Sequence, residues 1–114
     1  MALYYNLAKV YEISENDTAF AHQIVALFLE EVPVELKQIK HSIENKEYSL
    51  TYSACHKIKP SLDLLGMDLA FEENAQIMNW TKEAGKRKEI IEVYKLLKEH
   101  IDLAVKELRK DFKL

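Results

Sequence analysis

Ala54-Cys55-His56-Lys57-Ile58-Lys59-Pro60-Ser61 reads as the middle of an amphipathic helix, and the rest of the chain can be phased from it. At ~100° per residue, Thr51, Ala54, Cys55, Ile58, Ser61, Leu62 and Leu65 fall on one apolar face. His56 lies roughly 150° from the centre of that face, on the side of Tyr52, Lys59, Pro60 and Asp63. An imidazole held outward on a rigid helix, with lysines at +1 and +3, is placed to carry a phosphoryl group. A surface histidine on a helix is usually nothing more than that, so the segment gains meaning only from its surroundings.

Those surroundings are helical throughout. Leu3, Tyr4, Leu7, Val10 and Tyr11 recur at helical spacing and suggest a short N-terminal helix packed across the others. Ser14, Glu15, Asn16, Asp17 and Thr18 form a cap cluster. The helix after it is expected to bury Phe20, Ile24, Leu27 and Phe28. Pro33 should interrupt that helix or open a new one at its first turn, with Val34, Leu36, Ile39 and Ile43 continuing to Asn45. Lys46-Glu47 turns the chain into the His56 helix, which should end near Gly66. Asp68 is positioned to cap the next helix, with Phe71, Ala75, Ile77, Met78 and Trp80 toward the core, and Gly85 closes it. In the last helix Ile90, Tyr94, Leu97, Ile101, Ala104 and Leu108 step by three or four. Its basic end, Lys106, Arg109, Lys110 and Lys113, suits the negative pole of the helix dipole. The expected fold is all-α: an antiparallel four-helix bundle with a short extra N-terminal helix, one domain over residues 1–114.

Composition narrows the function classes. The chain has 114 residues, 48% of them hydrophobic, with two Gly and two Pro: enough for one core, and without a linker. A net charge of −3, with lysines interleaved among acids, is poor footing for nucleic acid. Apolar stretches fall short of the ~18 residues a membrane span requires. Met1 to Tyr11 lacks a signal-peptide core. The single cysteine suits a reducing compartment, so the cytoplasm is the expected location.

Candidate chemistry reduces to His56. Bundle di-metal sites use Glu-x-x-His, but Ala19, Gln38, Ser53 and Leu97 stand three residues before the four histidines, so no metal site is expected. Cys55 and His56 point ~100° apart and form no dyad. Glu30-Glu31 and Glu72-Glu73 read as solvated helix charges, and the isolated Gly66 and Gly85 form no phosphate loop. No nucleotide or other cofactor is expected to bind, and the chain should not phosphorylate itself. An imidazole of ordinary pKa, ~6.5, is a competent nucleophile near neutrality if another protein supplies the phosphoryl group. Lys59, one turn from His56, can reach phosphoryl oxygens, while Lys57 lies ~100° around the helix and is the weaker candidate. Pro60 removes the N–H that would bond the His56 carbonyl, yet it is compact and leaves the histidine uncovered. Leu64 projects toward the His56 side and could complete a docking patch with Tyr52, Pro60 and Asp63.

Ala54, His56, Ile58, Lys59, Ser61, Leu65 and Gly66 together resemble the signature of histidine-containing phosphotransfer (HPt) domains. That signature is a small residue, His, an apolar residue, Lys and Gly, then Ser or Ala, with Leu-Gly a few positions on. With one amphipathic helix before it and two after, the resemblance covers most of the chain. Two positions depart: Pro60 stands for the family's Gly, and Met78-Asn79 for its frequent Leu-Glu. The resemblance implies a phosphorelay intermediate with no kinase activity of its own. His56 would accept phosphate from a receiver-domain aspartate, for example in a hybrid sensor histidine kinase, and pass it to a second receiver. Mg²⁺ would reside on the receiver, and the chain is expected to be a monomer. Two other readings stand beside it. One is a helical interaction protein without phosphotransfer. The other is the dimerising phosphoacceptor domain of a histidine kinase, against which Lys57 occupies the position that class fills with an acid.

Overall fold

The computed structural model describes residues 3–114. Five helices follow one another without strands among those residues: α1 (Ala8–Ile13), α2 (Thr18–Glu44), α3 (Tyr48–Leu64), α4 (Asp68–Lys82) and α5 (Arg87–Phe112). Contacts run α2 to α3, α3 to α4, α4 to α5 and α5 back to α2, with α1 resting on α2. The helices enclose one apolar core containing Ile39, Ile43, Ile58, Leu62, Leu65, Ile77, Leu97, Ile101 and Leu108. No helix among the described residues is long and apolar enough to cross a membrane.

The turns follow from local chemistry. Asp17 caps α2, its carboxylate accepting the Phe20 N–H at 3.1 Å. All five helices are followed by a left-handed residue, after which an N–H folds back onto a carbonyl of the last turn, as the ends of α2, α3 and α4 illustrate. After α2, Lys46 takes the left-handed position (φ 55°), and the Glu47 N–H reaches the Ser42 carbonyl. After α3 that position is Gly66 (φ 61°), with the Met67 N–H on the Leu62 carbonyl. After α4 it is Ala84 (φ 48°), one residue earlier than the glycine that sequence would choose. Gly85 is needed for another reason: a Cβ there would fall onto the Trp80 indole, which donates to the Lys86 carbonyl at 2.9 Å.

Several expectations are corrected. α2 runs unbroken through Pro33, whose missing N–H is offset by the buried neighbours Leu29, Val32 and Leu36. Its buried face is Ala21, Val25, Phe28, Leu29 and Val32, while Leu27 (50% exposed) and Val34 (63%) point outward, and Phe20 and Ile24 are half-buried. Helix α1 begins only at Ala8, because residues 3–6 are held as a strap: the Leu3 and Tyr4 N–H groups donate to the Glu107 carboxylate, and the Asn6 N–H to the Leu65 carbonyl. Asp68 does not cap α4. It is the first helical residue, where its charge complements the helix dipole, and Met67 holds the cap position without a side-chain bond. Ala75 is exposed, and Trp80 is buried.

Candidate functional site

Helix α3 positions His56 by burying the opposite side of its own cylinder. Thr51, Ala54, Cys55, Ile58 and Leu62 are buried, whereas His56, Lys57, Lys59 and Pro60 are exposed and Ser61 is half-buried. Two polar contacts register the helix. Thr51 shares a buried 2.6 Å hydrogen bond with Ser42 of α2. The fully buried Asn74 of α4 donates to the Cys55 carbonyl at 2.9 Å, one residue before His56. The Asn74 side-chain oxygen, Oδ1, is buried and has no hydrogen-bond partner among the described residues. The helix passes through Pro60, which leaves the His56 carbonyl without its usual donor four residues on. The adjacent Asn74 bond anchors the same turn from outside the helix.

The imidazole of His56 makes no hydrogen bond among the described residues; its ring contact is with Tyr52, one turn back. The two rings lie 6.0 Å apart with planes 25° from parallel. Tyr52 is itself half-buried against the core, and the Lys82 ammonium of α4 sits 5.7 Å from its ring centre. Lys59 rests its ammonium 5.9 Å from the centre of the Phe71 ring. Lys57 turns the other way, toward α2, with Nζ 3.8 Å from the Glu35 carboxylate. Asp63 pairs with Lys9 of α1 at 2.7 Å. Leu64 is half-buried against the core, so the apolar surface beside the histidine consists of Tyr52, Pro60 and only part of Leu64. Cys55 is buried, and desolvation pushes its thiol up to about 12, which leaves it a packing residue and not a nucleophile.

Two features escaped the sequence reading. Lys82 reaches the histidine face through Tyr52; its signal was the stripe Phe71, Ala75, Met78 and Lys82 at helical spacing on α4. Glu73, expected to be solvated, is buried, and its carboxylate meets His100 Nδ1 of α5 at 2.8 Å. The two lie 27 positions apart, so no local spacing announces the pair. It ties α4 to α5. Among the described residues no group of three or more His, Cys, Asp or Glu side chains is arranged to hold a metal ion. No protein-family model, no curated protein and no solved structure matches the chain.

Proposed function

We propose that the chain is a histidine phosphotransfer protein of a multistep two-component relay. It accepts a phosphoryl group on His56 from a receiver-domain aspartate, such as that of a hybrid sensor kinase, and passes it to another receiver. It does so in the cytoplasm, as a monomer, with no cofactor of its own. The observation that carries this reading is an exposed imidazole in the middle of a 17-residue helix, without a hydrogen bond among the described residues and flanked by Lys59. The cycle of contacts from α2 to α5 and back supports the antiparallel four-helix bundle that the reading requires, with α1 as the added helix.

The chemistry needs little from this chain. The unprotonated ring nitrogen of His56 gives its lone pair to the phosphorus of the donor's aspartyl phosphate. The bond from phosphorus to the carboxylate oxygen breaks, and the carboxylate leaves as an anion. The ring keeps its single N–H, so no external base is required. Transfer onward repeats the exchange with a second aspartate as nucleophile. Positioning and charge stabilisation dominate such transfers, with the receiver supplying Mg²⁺ and most of the charge. Mixing the chain with phosphorylated receiver domains and mapping the phosphate tests the reading directly.

Lys59 is expected to aid transfer more than Lys57. Its ammonium is free to swing from Phe71 toward an anion one turn away, whereas Lys57 is drawn toward Glu35. Lys59→Ala should slow transfer or shorten the lifetime of the phosphohistidine about tenfold, if a charge contact of about 1–2 kcal/mol is lost. Equal effects from Lys57→Ala and Lys59→Ala in a rapid-quench assay would refute this ranking.

Pro60, exposed one turn beyond His56, falls within any footprint that brings an aspartate in line with the imidazole, as do Tyr52, Asp63 and Leu64. Pro60→Tyr should block transfer by covering the histidine, while restoring an N–H to the His56 carbonyl and so raising stability. Pro60→Gly should keep transfer. Transfer by the Pro60→Tyr variant at the parent's rate would move the docking face elsewhere.

A further inference from the structure

Tyr52, His56 and Lys82 form a chain of contacts that the transfer chemistry does not itself demand. Tyr52 lies one turn before His56 on α3, and the two rings stack at 6.0 Å and 25°. Lys82, the last residue of α4, brings its ammonium 5.7 Å from the centre of the same tyrosine ring. Tyr52 is also wedged against the core, whereas His56 has no hydrogen bond to fix it among the described residues. An exposed histidine otherwise samples several χ1 wells and a broad χ2. Only orientations that aim a ring nitrogen along the line of attack are productive.

We infer that Tyr52 is a positioning residue for His56, holding the imidazole plane by stacking, and that Lys82 holds Tyr52 in place from the neighbouring helix. For its effect on rate, the inference rests on the phosphotransfer reading. The ring geometry does not depend on it. With ring centres 6.0 Å apart the contact is a loose one that leaves the ring edge and most of the imidazole open to a partner. An aromatic pair of this kind changes a conformational population by about two- to tenfold. A cation over a partly exposed ring contributes about two- to fivefold. Lys82 serves this purpose although its place in the sequence suggests only a favourable charge at the C-terminal end of α4.

The test compares Tyr52→Leu, Tyr52→Phe, Lys82→Gln and Lys82→Arg in the full chain. The first readout is the ring-current shift of the His56 imidazole protons by NMR, which a merely structural role for Tyr52 would not move selectively. The second is transfer from an isolated receiver domain phosphorylated on its aspartate, with the saturated rate separated from the half-saturating receiver concentration. Tyr52→Leu should abolish the ring-current shift and lower the saturated rate about two- to tenfold. Tyr52→Phe should retain both. Lys82→Gln should weaken the shift and slow transfer about two- to fivefold, and Lys82→Arg should restore both. Lys82 is exposed, so its variants keep the test informative if Tyr52→Leu melts early. Unchanged imidazole shifts in Tyr52→Leu and Lys82→Gln would overturn the inference. So would a change confined to the half-saturating concentration, because Tyr52 would then be a docking contact. A parent chain that accepts no phosphate from any receiver would overturn the phosphotransfer reading instead, and the imidazole shifts would still decide the stack.

Discussion

His56→Gln is expected to abolish phosphorylation by receivers while leaving helicity and melting nearly unchanged. Glutamine offers no ring nitrogen to the phosphorus, so loss should be complete, not partial. His22, His41 and His100 are not expected to substitute. His22 meets the Phe112 ring, His41 lies beside Asn45, and Nδ1 of the half-buried His100 is engaged by Glu73. His56 is exposed and makes no hydrogen bond among the described residues, so its replacement should cost under ~0.5 kcal/mol. Circular dichroism and a phosphate-labelling assay on the same preparation check both halves. Labelling that survives in this variant would remove His56 from the mechanism. Loss of the fold would mean that the outer face of α3 carries more stability than its exposure allows.

Gly66→Ala is expected to destabilise the fold markedly, through the turn that closes α3 and the strap packed on it. Gly66 closes α3 at φ 61°, where an alanine is strained by about 1–2 kcal/mol. Its added Cβ would also stand 2.7 Å from both the Cβ and the carbonyl oxygen of Asn6. The strap at residues 3–6 cannot yield freely: the Asn6 N–H is bonded to the Leu65 carbonyl at 2.8 Å, and the Tyr5 hydroxyl to Asp111 at 2.6 Å. Either the turn distorts or the strap lifts, and losing a strap hydrogen bond adds about 1 kcal/mol. Denaturant unfolding should therefore report a loss of about 2–3 kcal/mol, with faster amide exchange at Asn6. A loss below ~0.5 kcal/mol would show that the strap is not packed against this turn.

The legibility of the sequence varied with the cleanness of each helix's pattern. Helix α3 was readable because its apolar residues occupy one stripe and its polar residues the other, which fixed the direction of His56. Helix α5 was readable for the same reason. Helix α2 is not: between Phe20 and Leu29 apolar residues stand on nearly every side, so the phase is ambiguous, and the spacing points Leu27 inward although it is half-exposed. Pro33 looked like a boundary because its local cost is visible in sequence, whereas the packing of Val32 and Leu36 that offsets it is not. Contacts between distant positions were invisible in principle. Glu73 with His100 and Tyr52 with Lys82 join residues 27 and 30 positions apart, and helical periodicity carries no information about either.

The candidate site divides along the same line. His56, Lys57, Lys59 and Pro60 were placed by periodicity alone, and all four are exposed on α3. What periodicity could not supply was how their charges are engaged. Lys57 leans to Glu35 on α2, and Lys59 to Phe71 on α4. Asp63, grouped with the docking face, is tied to Lys9 on α1. The charges around the imidazole are thus partly engaged at rest, and Lys59, one turn from His56 and paired with no carboxylate among the described residues, is the cation left to meet a phosphoryl group in the proposed reaction.

The central claim is that a phosphoryl group moves between receiver aspartates through His56. Its most direct test is to incubate the unaltered chain with receiver domains phosphorylated on aspartate, then to characterise any phosphate on the chain by its stability and position. The account predicts a phosphate that is labile in acid, stable in base, located on His56, and lost again when a second, unphosphorylated receiver is added. Receivers that bind the chain yet leave no phosphate on it would contradict the account, and would identify the chain as a helical interaction module whose exposed histidine carries nothing.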